Sequence, residues 1–332
     1  MNDLLDGLDS YTLDRVRPAG RAEWREPLLA TLTEHRFSDP GWIFERKLDG
    51  VRAIATCDGG TPKLWSRNHK SMDRSYPEIV TALEKHGRPQ FVADGEIVAF
   101  DGDQTSFARL QPRIHQTDPV KIEQSGVAVC FYLFDLLVCD EYDLTRMPLR
   151  ARKRLLRRAF DFRDPLRFSA HRNTDGEEYY RQACEQGWEG VIAKQAGSSY
   201  RSGRSTDWLK FKCVKDQELV IGGFTEPSGS RKGLGALLVG YHDDSDGLRY
   251  AGKVGTGYDD ETLQSLRRRL DRLTQDRSPF AGRVNERAHW VRPELVAEVG
   301  FTEWTRDGRL RHPRFQGLRT DKAARDVVRE SR

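Results

Sequence analysis

Trp42-Ile43-Phe44-Glu45-Arg46-Lys47-Leu48-Asp49-Gly50-Val51-Arg52-Ala53-Ile54-Ala55 places a polar tetrapeptide between two strand-like segments. Asp-Gly is a strong turn signal between such segments, so the local expectation is a hairpin. The same tetrapeptide also sets a primary amine, Lys47, where it can meet a nucleotide phosphate. A K-x-D-G match alone does not separate a turn from a catalyst. The rest of the chain does.

Downstream, in order, lie Asp94-Gly95-Glu96-Ile97-Val98-Ala99, Phe134-Asp135-Leu136-Leu137, Glu189-Gly190-Val191-Ile192-Ala193-Lys194, Trp208-Leu209-Lys210-Phe211-Lys212 and Arg319-Thr320-Asp321-Lys322. An unperturbed lysine, with a pKa of about 10.4, is protonated at neutral pH and a poor nucleophile. Neighbouring cations lower that value by penalising the ammonium form. Lys210 and Lys212, two apart on a strand, can point into one pocket and do this to Lys47.

The ordered set resembles the ATP-dependent DNA ligases of the covalent nucleotidyltransferase superfamily, and most of all the ligase domain of the bacterial end-joining ligases and their free-standing relatives. The similarity runs from about Pro27 to Lys322. It implies that Lys47 attacks the α-phosphate of ATP and keeps AMP, which passes to the 5′-phosphate of nicked or broken double-stranded DNA before the 3′-hydroxyl displaces it. By the same resemblance Arg52 contacts the nucleotide sugar or the nick terminus, and Arg67 the nick 5′-phosphate. Glu96 binds the ribose, Phe134 stacks on adenine, and Glu189 helps hold a divalent ion, Mg2+ or Mn2+, with Asp49 and Glu96 as further acidic candidates. Lys194 and Arg204 are candidate nucleotide contacts. Arg319 and Lys322 meet the β- and γ-phosphates, where cations stabilise the leaving pyrophosphate. Because Arg319 and Lys322 follow Lys47 by more than a hundred residues, that role implies that the second domain closes for adenylation and swings away for sealing, about a hinge near residues 213–216.

A length of 332 residues and 37% hydrophobic content suit two modest cores. Residues 26–214 read as an α/β nucleotidyltransferase domain, with helices expected over 77–86, 148–160 and 175–186. Residues 215–332 read as a β-rich OB-fold domain, with short glycine-punctuated strands and one helix over 261–273. Residues 1–25 carry a mixed charged sequence without an assignable role. No stretch approaches the roughly 18 to 20 apolar residues of a membrane span, and no signal peptide opens the chain. A soluble monomer of the cytoplasm, working on DNA with or without end-joining or repair partners, is the expectation.

Five cysteines, at 57, 130, 139, 184 and 213, include no C-x-x-C pair. They read as free thiols, and the lack of zinc cysteines disfavours an NAD-dependent ligase. Net charge is only +4, so any grip on DNA rests on local runs. Arg150 to Arg158 and Arg267-Arg268-Arg269 are candidates for phosphate neutralisation, or else solvated helix faces. Competing readings are an RNA ligase or mRNA guanylyltransferase, which share the lysine, and a non-catalytic nucleic-acid-binding module. The loop over 229–235, the segment over 252–257 and the run Leu310 to Lys322 look like DNA ligase instead.

Overall fold

The computed structural model describes residues 3–213, 215–227, 233–243, 247–305 and 307–330. Contacts divide the chain into two compact units, residues 1–213 and 214–331. Residues 229–232 of the ligase-like loop lie outside the described residues, as does residue 214 of the hinge segment.

The first unit is built from two sheets. One has the strand order Arg17–Pro18, Tyr142–Asp143, Val129–Cys139, Gln90–Asp101, Val51–Asp58, Lys63–Ser66. The other runs His171–Asn173, Trp42–Lys47, Gly190–Gln195, Gly203–Lys212, Leu28–Leu32. Strand alternation sends Val51, Ala53, Ala55, Ala93 and Ile97 to one face of the first sheet, where they pack with Ile79 and Leu83 of helix Pro77–His86 and Leu155 and Leu156 of helix Leu149–Ala159. On the second sheet, Phe44, Val191, Ala193 and Phe211 pack against Tyr179 and Ala183 of helix Gly176–Glu185. Between the sheets, Ile54, Val92 and Phe134 meet Leu28 and Trp208.

The expected hairpin at Lys47 is not formed. Trp42–Lys47 belongs to the second sheet and Val51–Asp58 to the first, so residues 47–50 carry the chain from one sheet to the other. Asp49 supports this crossover: its carboxylate accepts from Phe107 N (2.9 Å) and its own N–H donates to Thr105 Oγ1 (3.1 Å). Gly50 is required by close approach, since a Cβ there would stand 2.2 Å from the Ile97 carbonyl oxygen. The alternating pattern gave two strands correctly; the Asp-Gly signal could not say that each would find its partners in a different sheet.

Helix Leu149–Ala159 corrects a second expectation. Two of its cations are directed inward, while Arg150, Arg154, Arg157 and Arg158 are exposed. Arg152 and Lys153 are 0% and 1% exposed. Arg152 forms a two-pronged ion pair with Asp135 (2.7 and 2.9 Å), and Lys153 pairs with Glu45 (2.6 Å). Arg154 donates to the Gly7 carbonyl, and Arg158 to those of Leu4 and Asp6, so residues 3–7 are fastened to this helix with Leu4 fully buried. Desolvated charges are costly unless paired, which is why acids and carbonyls converge on this run.

The third correction concerns sulfur. Cys184 and Cys213 form a disulfide, with Cα atoms 5.2 Å apart, joining the end of helix Gly176–Glu185 to the residue after strand Gly203–Lys212. Their sequence separation of 29 gives no local pairing signal; packing of that helix on the sheet brings them together. Cys57, Cys130 and Cys139 are free thiols.

In the second unit, Lys215–Phe224 pairs along one edge with Leu237–His242, which pairs with Leu248–Val254, and along the other with Val296–Phe301, which pairs with Arg314–Arg319. Helix Asp260–Asp271 inserts Leu263, Leu266 and Leu270 into the core, and Asp259 caps its start by accepting from Thr262 N (2.7 Å). Five principal strands with one helix between the third and fourth make an OB-fold domain. Among the described residues no helix is long and apolar enough to cross a membrane.

Candidate active site

Register across the second sheet assembles four of the expected lysines, Lys47, Lys194, Lys210 and Lys212. Gly190 is paired with Lys47 on one side and with Lys212 on the other, so the three form a single row. The next row is Glu45, Ile192, Lys210, and beyond it Ile43, Lys194, Trp208. Residues two apart share a face. Lys47, Glu45, Lys194, Lys210, Lys212 and Trp208 therefore lie on one side of the sheet, while helix Gly176–Glu185 covers the other. Gly190 has a φ of +150°, and a Cβ there would meet the Phe211 carbonyl oxygen at 2.0 Å. No larger residue fits the middle of the row.

Lys47, at the end of its strand, is ion-paired with Glu189, which stands just before strand Gly190–Gln195; their side chains are 18% and 15% exposed.

The first sheet contributes Arg52, Glu96 and Phe134. Arg52 and Glu96 are opposite each other on adjacent strands. Arg52 is clamped by Asp94 through two 2.6 Å bonds and donates to the Leu28 carbonyl (3.1 Å). Burial opposes its charge, but Asp94 outweighs burial and holds the guanidinium more firmly protonated than usual. Tyr200 Oη donates to the same carboxylate (2.6 Å), and burial with the Asp94 charge pushes this phenol well up. Arg52 thus has its fork occupied by a buried acid, an arrangement the sequence did not signal. Glu96 is half-buried.

Phe134 is 7% exposed, set edge-on to Trp208 (centroids 5.9 Å), with Arg52 4.6 Å and Lys194 4.1 Å from its ring centre. Lys194 is 2% exposed and paired with Glu45 (2.9 Å), 3.9 Å above Trp208. Expected to touch phosphate, it is instead part of a buried network, because its strand position aims it between the sheets. Glu45 receives Lys153, Lys194 and Ser169 Oγ (2.9 Å) together. Burial would raise the Glu45 pKa, but the two lysines outweigh it and bring it down to about 2. Burial, offset in part by Glu45 and reinforced by Lys153, lowers Lys194 to about 8.

Glu45, Lys153, Asp94, Tyr200 and Trp208 were not singled out from the sequence. Glu45 had a signal: two residues before Lys47, it shares that residue's face. Asp135 and Asp94, acids inside apolar runs, also implied buried cationic partners. The Trp208 indole N–H finds no acceptor among the described residues.

Other expected residues lie apart or are otherwise engaged. Asp49 caps the start of helix Phe107–Leu110 as described, and no group of three His, Cys, Asp or Glu gathers to hold a metal among the described residues. Arg204 is exposed, its guanidinium donating to the Ala30 carbonyl (2.8 Å). Arg67 is half-buried just after strand Lys63–Ser66. Arg319 and Lys322 belong to the second unit, where Arg319 pairs bidentately with Asp321 (2.9 and 2.8 Å) and Lys322 with Glu218.

A nucleotidyltransferase domain centred on a lysine and followed by an OB-fold domain is the class these observations define. Residues 27–212 match the ATP dependent DNA ligase domain and residues 230–322 the ATP dependent DNA ligase C terminal region, and the chain belongs to the ATP-dependent DNA ligase family. It is 39% identical over 317 residues to the multifunctional non-homologous end joining protein LigD of Pseudomonas aeruginosa, covering 93% of this chain and 37% of that protein. Against the multifunctional non-homologous end joining DNA repair protein LigD of Mycobacterium tuberculosis it is 36% identical over 312 residues, covering 92% of this chain and 40% of the other. The chain thus spans about two fifths of the length of these curated relatives. Among solved structures, mycobacterial DNA ligase D complexed with ATP and MES is similar with a TM-score of 0.65 at 34% identity, covering 91% of this chain and 97% of that one.

Proposed function

We propose that this ligase seals nicks or breaks in double-stranded DNA through AMP held covalently on Lys47. The observation that carries the reading is the row Lys47, Gly190, Lys212, with Lys210 on the same face and Glu189 against the nucleophile. Lys47 Nζ loses a proton and attacks the α-phosphorus of ATP; a P–N bond forms and the P–O bond to pyrophosphate breaks. The lysines beside it favour the neutral amine and neutralise phosphate charge. AMP then passes to an oxygen of the DNA 5′-phosphate, and the 3′-hydroxyl displaces AMP as the new phosphodiester forms.

The remaining roles are proposed from the resemblance together with placement. Phe134 is the candidate ring for adenine, Glu96 an acceptor for ribose, and Arg52 and Arg67 are the candidates toward nucleotide and nick. Lys194 and Arg204 act through the pocket's walls, Lys194 by holding Glu45. A divalent ion fits the donor set in one respect: Glu189 is a hard oxygen donor beside the phosphate position, and Mg2+ uses few carboxylates and keeps most of its waters. Glu189, with Asp49 and Glu96 as further acidic candidates, would hold it, and when bound it would neutralise charge on the phosphates. Arg319 and Lys322 are proposed to engage the β- and γ-phosphates.

The names of the LigD relatives support end joining as the setting, in the bacterial cytosol or nucleoid, with the chain acting as a monomer on DNA. Incubation with labelled ATP, GTP or NAD plus metal, followed by denaturation, tests the reading. Label retained from ATP alone is expected; retention from GTP would favour the guanylyltransferase reading, and none at all would favour a binding module.

A further inference from the structure

We infer that Glu218 and Glu298 are positioning residues that hold Arg319 and Lys322 in place of phosphate oxygens, and that a triphosphate or pyrophosphate must displace them. The inference rests on the phosphate role proposed above for those two cations.

Strands Lys215–Phe224 and Val296–Phe301 run antiparallel with Glu218 directly opposite Glu298. Like charges facing each other across a strand pair are destabilising, and these side chains are only 17% and 11% exposed. The cost is offset by the cations. Lys322 pairs with Glu218, while Arg319 reaches Glu298 (3.4 Å) and Glu218 (3.8 Å). Gly317 completes the row beside Glu298, and Arg319, two residues on, is paired with Val296. Residues two apart share a face, so this register puts Arg319 on the same face as Glu298.

The three acids serve Arg319 differently. Asp321 is two residues away, grips the guanidinium with both oxygens and travels with it. Glu218 and Glu298 are fixed in strands. A carboxylate and a phosphate oxygen are interchangeable acceptors for an arginine or lysine, so cations leaving for a phosphate give up these ion pairs and take positive charge away from two glutamates that face each other. That penalty weakens the hold on triphosphate and on its product, and draws the cations back once pyrophosphate departs. The carboxylate pair therefore sets how readily pyrophosphate is released after adenylation.

The test is self-adenylation of the full chain as a function of ATP, with and without added inorganic pyrophosphate. Glu218→Gln should lower both the half-saturating ATP and the inhibitory pyrophosphate concentration by about tenfold, the worth of one charge-assisted contact. Glu298→Gln, which removes one longer contact, should shift both less. The change should lie in these concentrations and not in the maximal rate. Glu218→Asp, which keeps the charge, should fall between wild type and Glu218→Gln, and it serves if the glutamine variant does not fold. Unshifted or raised concentrations in Glu218→Gln and Glu298→Gln overturn the inference. A wild-type chain that takes no label overturns the Lys47 reading itself, whereas a labelled wild type with unshifted variants rejects this inference alone.

Discussion

Lys47 and Lys212 face one another across Gly190, on three neighbouring strands of one sheet. The glycine is the only residue that lets the outer strands keep this spacing, since any Cβ would run into the backbone of the strand that carries Lys212. Gly190→Ala should therefore lower the thermal midpoint and depress self-adenylation together. Unfolding curves beside a labelling assay would show it; full activity in a stable alanine variant would remove the row from the mechanism.

Lys47→Ala should abolish AMP addition and leave the fold intact, because the crossover between sheets is held by Asp49 and Gly50 and not by the amine. Intact mass after incubation with ATP decides it. An AMP adduct on the variant would assign the chemistry to another residue.

Phe134→Ala removes a ring buried between the sheets. Truncating a buried phenylalanine costs about 3 to 5 kcal/mol, and loss of stacking on a base about 1 to 3 kcal/mol. Both losses are expected, so ATP dependence should be measured on the folded fraction. Lower stability with unchanged ATP dependence would make the ring a core residue only.

Glu45 has its pKa lowered in the fold to about 2 from the ordinary 4.5. A carboxyl with a depressed folded value contributes stability that is present above the unfolded pKa and lost as pH falls through the folded one. Wild type should therefore lose stability from about pH 4.5 to 2 more steeply than Glu45→Gln. Denaturant midpoints across that range, compared as a difference, isolate this group. Parallel curves would mean that Lys153 and Lys194 do not hold it charged.

DNA affinity should fall with salt by about 0.9 log units per phosphate contact for each decade. Arg152 and Lys153 are already neutralised within the fold, so these two should contribute little to that slope. Arg67→Ala should reduce the slope by about one contact, whereas Arg157→Ala, whose guanidinium lies 4.4 Å from the Phe168 ring centre, should leave it unchanged. The reverse pattern would return the basic helix to the DNA surface.

The sequence carried the element types well where periodicity was strong. Helix Pro77–His86 begins at its proline and ends with Lys85 and His86 in the last turn, as local signals require. Strand Leu28–Leu32 had no such marker, because its partner is the distant Gly203–Lys212 strand and only tertiary pairing makes it a strand. The lysines were legible because a two-residue spacing fixes a face. Their acidic partners carried only a signal that some cation must meet them, since which one becomes visible only when Lys153, Arg52 and Arg152 arrive at Glu45, Asp94 and Asp135 from elsewhere in the chain. The Arg150 to Arg158 run divides for the same reason: Arg150, Arg154, Arg157 and Arg158 are exposed, but a charge count cannot tell that Arg152 and Lys153 have counter-ions inside the fold.

The Cys184–Cys213 bond closes a covalent ring around strands Gly190–Gln195 and Gly203–Lys212. Glu189, Lys194, Lys210 and Lys212 are all threaded on that ring, so this wall of the candidate site is a cyclic peptide while the thiols remain oxidised. Handling the protein with a dithiol reductant opens the cycle without changing a single residue of the site, and enzyme prepared in the two ways should differ first in how firmly that wall resists local opening to proteases.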